Sequence, residues 1–188
     1  EEVANRGLFE KNSVLGTALV DMYGKCGFLA KAQTVQDGMC GRDVISWSAL
    51  VAGYVQQGQG YEALSCFKQM QSECIFPNAV TFVCLLKACG SIPDLIEGKS
   101  LHADVLFKGF DSHVFVGSTL VSMYGKCGNI LDAYKVFSGL PERNIVSWNA
   151  MLSAYVERGN GAKALRLYRH MLDEGVTPDD LTSVISLQ

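Results

Sequence analysis

The hexapeptide Met-Tyr-Gly-Lys-Cys-Gly occupies residues 22–27 and recurs without change at residues 123–128. Other short elements repeat at the same separation of 101 residues, namely Ser46-Trp47 with Ser147-Trp148, Ala63-Leu64 with Ala164-Leu165, and Pro77 with Pro178. When residues 13–87 are aligned with residues 114–188 at this offset, 28 of 75 positions are identical. An identity this high at a fixed offset indicates an internal duplication, and it predicts a repeat protein.

The long period divides into shorter units of related sequence. The predicted units cover residues 13–43, 44–78, 79–113, 114–144 and 145–179, with lengths of 31, 35, 35, 31 and 35 residues. Residues 180–188 begin a further unit, and residues 1–12 end a preceding one. Because the first residue is glutamate and the last unit is incomplete, we expect the chain to be part of a longer protein.

Each unit has the apolar pattern of two amphipathic helices. In residues 44–78 the apolar residues recur at near-helical spacing in two runs, which are Ile45, Leu50, Val51, Tyr54 and Val55, then Ala63, Leu64, Phe67 and Met70. Gly58 and Gly60 separate the runs, as glycines at helix ends do. A two-helix unit cannot bury its apolar faces alone, so we expect stacked units in an all-α solenoid. The pattern leaves the direction of winding open.

The units resemble pentatricopeptide repeats, and specifically the plant organellar subclass in which P-type, L-type and S-type motifs rotate. Residues 44–50 and 145–151 are similar to the P-type opening, 98–103 to the L-type second helix, and 114–120 to the S-type opening. The resemblance covers residues 13–188 and implies a right-handed superhelical solenoid. It assigns 13–43 and 114–144 to S-type repeats, 44–78 and 145–179 to P-type repeats, 79–113 to an L-type repeat, 1–12 to the tail of an L-type repeat, and 180–188 to the start of a truncated one.

The resemblance also implies a function. Proteins of this family bind single-stranded RNA with one base per repeat, and the subclass provides the specificity module for organellar RNA processing, in particular C-to-U editing. The implied partners are an organellar transcript, in the mitochondrion or chloroplast, and editing-factor proteins. Reading an unpaired base requires an apolar side chain against its face and polar side chains at its edge.

Residues suited to both tasks recur at fixed places in the units. The second residue of every unit is apolar, and the resemblance implies base stacking by Val14, Ile45, Val80, Phe115 and Val146. The fifth and last residues are the implied base-reading pairs, which are Thr17 with Asp43, Ser48 with Asn78, Ser118 with Asn144, and Asn149 with Asp179. A purely structural interpretation is open for both sets, since apolar residues near a helix start are commonly core and Asn or Asp at unit ends suits turns and caps.

By the family's code, the four pairs favour guanine, adenine, adenine and uracil, so the chain would read G-A-N-A-U from the RNA 5′ end. The unread base N belongs to residues 79–113, where Val83 and His113 depart from every coding pair. Lys25 and Lys126 occupy equivalent places late in first helices, where family members can touch RNA phosphate. A solvated lysine is the alternative for each.

Composition limits the other classes of function. With 48% hydrophobic residues among 188, the chain can bury a core and is not expected to be disordered. Its net charge of -3 gives no bulk signal for nucleic acid. No apolar run reaches the roughly 20 residues of a membrane-spanning helix, so no membrane partner is predicted.

The seven cysteines indicate neither a metal site nor a cofactor. They form no Cys-x-x-Cys pair, and no histidine has metal-ligand spacing to a cysteine. Five of them lie in apolar stretches and are expected to be buried thiols, namely Cys26, Cys66, Cys84, Cys89 and Cys127.

No catalytic constellation is present, so we predict that the chain is not an enzyme. Residues 98–100 read Gly-Lys-Ser, like the end of a phosphate-binding loop, but Pro93 stands where that loop requires its first glycine. The alternative to RNA binding is a scaffold for protein–protein interaction, because helical solenoids also present concave surfaces to peptides.

Overall fold

The computed structural model describes residues 12–180 and 182–183. These residues form helices and turns without a β-strand, and the helices are α1 (Ser13–Lys25), α2 (Leu29–Gly38), α3 (Val44–Gln56), α4 (Gly60–Ser72), α5 (Ala79–Ser91), α6 (Leu95–Phe107), α7 (Val114–Lys126), α8 (Ile130–Gly139), α9 (Ile145–Glu157) and α10 (Gly161–Asp173). Within this described part, no helix combines the length and the apolar content needed to cross a membrane.

Each predicted unit from residue 13 to residue 179 contains two of these helices. The assignment of units to P, L and S types stays a prediction. The predicted tail at residues 1–12 lies outside the described residues except for Asn12. The predicted start at 180–188 is described only at residues 180, 182 and 183.

The described residues divide into two compact units, the first ending at Ala88 and the second beginning at Cys89. In the first unit, α1 packs on α2 and α3, and α3 packs on α4. In the second unit, α7 packs on α8 and α9, and α9 packs on α10. Within each unit, therefore, the first helices of successive hairpins pack on each other, and each also packs on its own second helix.

Close packing of first helices explains one glycine of the repeated hexapeptide. A Cβ added to Gly24 on α1 would lie 3.1 Å from the Gly53 Cα on α3. The equivalent Gly125 on α7 faces Ala154 on α9, where an added Cβ would lie 2.7 Å from the Ala154 Cβ. Atoms that close repel strongly, so larger residues at these places would push the helices apart.

The second glycine of the hexapeptide ends the helix. Gly27 and Gly128 have φ angles of 79° and 78°, a left-handed conformation that favours glycine. After α1, the Gly27 N–H donates to the Gly24 carbonyl, and the Phe28 N–H donates to the Tyr23 carbonyl at 2.9 Å. This Schellman arrangement satisfies the last carbonyls of α1 and turns the chain into α2.

The repeated tryptophans belong to the core of their hairpins. Trp47 and Trp148 are fully buried, and each lies near an ion pair between the loop before its helix and the end of the next helix. Arg42 contacts Glu73 at 2.9 Å in the first unit, and Arg143 contacts Glu174 at 2.7 Å in the second. The Trp47 indole N–H also donates to Glu73 at 3.3 Å. These contacts tie the two helices of each hairpin together.

All seven cysteines are free thiols, but their burial differs from the prediction. Cys66 and Cys89 are buried, and burial raises the pKa of each thiol to about 12. Cys84 and Cys127 are half-buried. Cys26 is exposed, so the prediction of a buried thiol is wrong there. Both Cys26 and the equivalent Cys127 are helix C-caps, so neither the cap position nor apolar sequence neighbours decide the burial of these thiols.

Replacing Gly125 by alanine should destabilise the second unit. Alanine normally stabilises a helix interior relative to glycine, but the new methyl would meet the Ala154 Cβ, so we expect a net loss of about 1–3 kcal/mol. Urea unfolding of the variant and of the unaltered chain would measure this loss as a difference in the free energy of unfolding.

Two variants serve as controls for that substitution. Adding Ala154→Gly should restore most of the loss, through a coupling of about 0.5–3 kcal/mol. Gly161→Ala, where nothing lies within 4 Å of an added Cβ, should change stability by less than about 0.5 kcal/mol. Additive effects of Gly125→Ala and Ala154→Gly would contradict the proposed helix contact.

Candidate single-stranded RNA interface

The second residue of every repeat lies on the surface. We call these five side chains the wedge residues, and their exposed fractions are 77% for Val14, 60% for Ile45, 59% for Val80, 64% for Phe115 and 52% for Val146. The structural alternative, in which they belong to the core, is wrong. Large apolar side chains recurring at one place on successive helices leave an ordered set of apolar contacts available to a ligand.

An open cavity of about 530 Å³ in the first unit joins several predicted site residues. We call it the first groove. It is lined by three wedge residues, by the pair Thr17 and Asp43, by Ser48 and Asp21, and by small residues on α1 and α3. Asn78, the partner of Ser48, is not among the residues that line it.

A second groove of about 320 Å³ lies in the second unit. It is lined by Val146, by the pair Asn149 and Asp179, and by Lys126, together with Glu157 and small residues of α7 and α9. Phe115, Ser118 and Asn144 do not line this groove. Each groove thus combines at least one wedge residue with a complete predicted base-reading pair.

The fifth residues are less exposed than a polar reading surface would suggest. The exposed fractions of Ser48, Ser118 and Asn149 are 6%, 2% and 5%. The hydroxyls of Ser48 and Ser118 donate to carbonyls one turn earlier, at 2.6 Å and 2.8 Å. Ser48 and Asn149 still line the open grooves, so a small part of each residue is accessible there. Thr17 is half-buried.

In four of the five complete repeats, the last residue caps the first helix of the next repeat. Asp43 accepts from the Ser46 N–H at 2.9 Å, and Asn78 accepts from the Thr81 N–H at 2.9 Å. In the same way, Asn144 accepts from the Ser147 N–H at 2.9 Å, and Asp179 accepts from the Thr182 N–H at 2.7 Å. The helix-cap interpretation is therefore correct for these residues.

Capping fixes which atom each last residue has left over. The helix N–H can be met only by an oxygen, so the cap bond fixes the orientation of the asparagine amides. Asn78 and Asn144 thus keep a free Nδ2 donor, which has no hydrogen-bond partner among residues 12–180 and 182–183. Asp43 keeps its second carboxylate oxygen as an acceptor, and the second oxygen of Asp179, which accepts from the Asn149 Nδ2, has lone-pair capacity for a further donor.

The two members of a pair lie close together in the second unit. The Asn149 Nδ2 donates to both carboxylate oxygens of Asp179, at 3.0 Å and 3.1 Å. The Ser118 Oγ lies 3.3 Å from the Asn144 Oδ1. The bonds from Thr182 and Asn149 also hold the pKa of the Asp179 carboxyl below its usual value, so it is ionised at neutral pH. The positions of Val83 and His113 differ from this pattern, since no side-chain bond from His113 caps α7.

Sequence reasoning missed the third residue of the repeats. It carries a hydroxyl in four cases, namely Ser46, Thr81, Ser147 and Thr182, and these hydroxyls hydrogen-bond to the last residue of the preceding repeat. The two other third residues are Leu15 and Val116, and Val116 follows His113. An Asp or Asn followed three residues later by Ser or Thr is a capping signal that the sequence does contain.

The two predicted phosphate-binding lysines have different surroundings. Lys25 forms an ion pair with Asp21 at 2.6 Å. At the place equivalent to Asp21, the second unit has Ser122, and Lys126 has no ion pair within the described part of the chain. Lys126 also lines the second groove, and it is therefore the better placed of the two lysines for an anionic ligand.

Comparison with known proteins follows the same repeats. The model described as PPR repeat family matches residues 42–91 and 143–188, and a model described as PPR repeat matches residues 118–145. A chloroplastic pentatricopeptide repeat-containing protein of Arabidopsis thaliana, CRR2, is 42% identical over 89% of the chain and 26% of its own length. A mitochondrial pentatricopeptide repeat-containing protein from the same plant is 41% identical over 92% of the chain and 17% of its own length. The chain spans about a quarter or less of these relatives.

Solved structures of low sequence identity share the fold. The crystal structure of the pentatricopeptide repeat protein PPR10 with an 18-nt psaJ RNA element matches with a TM-score of 0.76 and 18% identity, covering 93% of this chain and 27% of that one. The PPR domain of Arabidopsis thaliana protein-only RNase P 1 in complex with tRNA matches with a TM-score of 0.68 and 15% identity. This match covers 88% of this chain and 92% of that one. The predicted fold class, an all-α solenoid of helical hairpins, is confirmed.

Proposed function

The chain belongs to the pentatricopeptide-repeat family, and from that premise we propose that it binds single-stranded RNA in a sequence-dependent manner through its wedge residues and base-reading pairs. The observation that carries the proposal is the exposure of all five wedge residues, four of which line grooves that also contain a complete base-reading pair. Both solved relatives described above contain RNA. The function is one of binding, and no catalytic step is part of it.

The wedge residues suit the faces of unpaired bases. A base face is apolar and flat, and stacking on protein side chains removes it from water. Successive first helices pack directly on each other in each unit, so that successive wedge residues such as Val14 and Ile45 line one groove. A single strand laid along such helices would meet one wedge residue at each repeat.

The last residue of each pair discriminates by hydrogen-bond polarity. Asp43 and Asp179 present a carboxylate oxygen, which can accept from the N1–H of guanine or the N3–H of uracil but is repelled by the acceptor nitrogens of adenine and cytosine. Asn78 and Asn144 present an N–H group, which favours adenine N1 or cytosine N3 instead. Edge contacts of this kind are how proteins read unstacked bases.

The fifth residue then separates large bases from small ones. Thr17, Ser48 and Ser118 are short and leave room for a purine, whereas Asn149 is longer and reaches a pyrimidine. Its second amide hydrogen can donate to a uracil carbonyl, while the Asp179 carboxylate accepts from the uracil N3–H. Together the two criteria give guanine, adenine, adenine and uracil for the four pairs, which is the order that the family's code gives. One base is thus assigned to each repeat.

The finer role we propose is that of a specificity module for RNA processing in chloroplasts or mitochondria, including C-to-U editing with editing-factor proteins as partners. The chloroplastic and mitochondrial names of the relatives support the compartment. The subclass resemblance supports editing. A whole protein would supply any further domain that the process requires.

Binding of short RNAs tests the proposal. The chain should prefer a strand containing G-A-N-A-U over a scrambled strand of equal composition, measured by fluorescence anisotropy at fixed salt. A scaffold for protein partners has no reason to distinguish the two strands, so equal affinity would reject sequence-dependent RNA binding.

A single substitution should redirect the last base. In Asn149→Ser, with Asp179 unchanged, the shorter side chain leaves room for a purine and the carboxylate still selects an N–H donor. We expect preference there to move from uracil to guanine, by about 1–3 kcal/mol for a well-made edge contact. As a matched control, Asn160→Ser before α10, where the side chain makes no cap bond, should leave the preference unchanged.

The lysines should contribute unequally to the salt dependence of RNA binding. Lys126→Ala should make the slope of log affinity against log salt shallower by about 0.7, the value for one phosphate contact on a single strand. Lys25→Ala should change it less, because Asp21 already neutralises Lys25. Asp21→Ser, which copies Ser122 of the second unit, should release Lys25 and steepen the slope. Equal effects of the two lysine substitutions would contradict this assignment.

A further inference from the structure

Two buried threonines connect the members of base-reading pairs. Thr81, the third residue of its repeat, has its hydroxyl oxygen 2.7 Å from the Ser48 Oγ and 3.0 Å from the Asn78 Oδ1. The same oxygen accepts from the Asn78 backbone N–H at 3.2 Å. Ser48 and Asn78 belong to the preceding repeat and form its predicted pair. One hydroxyl of the following repeat thus touches both.

Thr182 repeats the arrangement in the second unit. Its hydroxyl oxygen lies 2.6 Å from the Asn149 Oδ1 and 2.7 Å from the Asp179 Oδ1, and it accepts from the Asp179 backbone N–H at 3.2 Å. Thr81 and Thr182 are both fully buried, so water does not compete for these bonds. Each stands in the repeat that follows a predicted P-type repeat.

The hydroxyls at the third place of the other repeats bond differently. The Ser147 Oγ donates to the backbone carbonyl of Asn144, and the Ser46 Oγ bonds the backbone of Asp43 and the side chain of Gln36. These bonds support the helix start without reaching a fifth residue. The link through the threonines is therefore additional to helix capping.

We propose that Thr81 and Thr182 are positioning residues for base recognition, each fixing which atoms the pair of the preceding repeat presents to RNA. The proposal rests on the proposed function. Neither threonine touches the base in this account, and both act through the pairs Ser48 with Asn78 and Asn149 with Asp179.

The chemistry of Asn149 shows why such positioning matters. Its amide has an acceptor on one side and donors on the other, and a half-turn of the amide exchanges them. A hydroxyl hydrogen from Thr182 can satisfy the Asn149 Oδ1, which directs the amide nitrogen toward Asp179 and the groove. Loss of that hydroxyl leaves the Asn149 Oδ1 without this partner, so that the bonds to Asp179 alone hold the amide. The amide would then be held less firmly, and the pair would discriminate less well among bases.

At Ser48 the threonine restricts a hydroxyl instead of an amide. The Ser48 hydrogen is directed to the Val44 carbonyl at 2.6 Å or to Thr81, and in either case the hydrogen stays within the protein. Ser48 therefore faces the base as an acceptor, which matches the amino group of adenine. Without the Thr81 hydroxyl, the Val44 carbonyl alone is left to hold that hydrogen, so the hydrogen can turn toward the base more readily.

Thr81→Val tests the proposal, because valine has the shape of threonine without the hydroxyl and the equivalent place in another repeat is Val116. RNA strands carrying each of the four bases at the second place of G-A-N-A-U are compared by anisotropy. In the unaltered chain, adenine should be preferred by about fivefold or more, as for a well-made edge contact. In Thr81→Val the preference should fall below about twofold, while preference at the first and fourth places is retained.

Three further variants separate positioning from a general loss of structure. Thr81→Ser keeps the hydroxyl and should restore the preference for adenine. Ser147→Ala removes a hydroxyl that touches only backbone and should lower the urea midpoint while keeping the preference at the fourth place. Thr182→Val should reduce discrimination at the last place alone.

The outcomes distinguish this inference from the function it rests on. Full base preference in folded Thr81→Val and Thr182→Val chains would overturn the positioning role. The same holds if Thr81→Ser fails to restore the preference. Absence of any base preference in the unaltered chain would instead overturn sequence-dependent RNA binding itself.

Discussion

The hydrogen bond from a helix N-terminus to the last side chain of the preceding repeat is the contact on which the rest of the interface depends. This bond caps the start of a helix and orients a base-reading residue at the same time, and it is made by Asp43, Asn78, Asn144 and Asp179. Four N–H groups at a helix start require an outside acceptor, so the bond is favoured before any ligand arrives. The ligand then meets a residue whose remaining donor or acceptor is already chosen.

Fixing the polar groups in advance also explains their low exposure. Ser48, Ser118 and Asn149 are almost buried, and each is hydrogen-bonded within the protein. A binding site that is ordered before binding loses less conformational entropy when its ligand arrives. A buried polar network also has few alternative arrangements, because an unmade bond there has no water to replace it. Specific recognition of a base edge benefits from both effects.

Much of this structure could be predicted from the sequence because the repeats are offset by a constant number of residues. The repeated hexapeptide indicated where the helix pairs lie. The structure shows why its two glycines are needed, since Gly24 packs closely against a neighbouring helix and Gly27 adopts a left-handed turn. The sequence could not decide whether the wedge residues were core or surface, since apolar side chains at a helix start suit both. Contacts with neighbouring helices determine their exposure.

Other features depend on contacts between distant residues. Thr81 and Ser48 are 33 residues apart, and the bond between them requires the two helices to be already packed. Likewise, the Asp21 carboxylate that forms an ion pair with Lys25 has no counterpart in the second unit, where the equivalent residue is Ser122. The equivalence of two lysines in a sequence repeat therefore did not make their surroundings equivalent. Differences of this kind between copies of a repeat can be identified only from the structure.

The side-chain amide signals of asparagine provide the most direct measurement of the central claim. NMR spectra of the isotope-labelled chain would be recorded while a G-A-N-A-U strand is added. The account predicts shifts of the Nδ2–H signals of Asn78, Asn144 and Asn149, with Asn129 and Asn160 in the turns between paired helices unchanged. Shifts at Asn129 and Asn160, with the three reading residues unaffected, would contradict it.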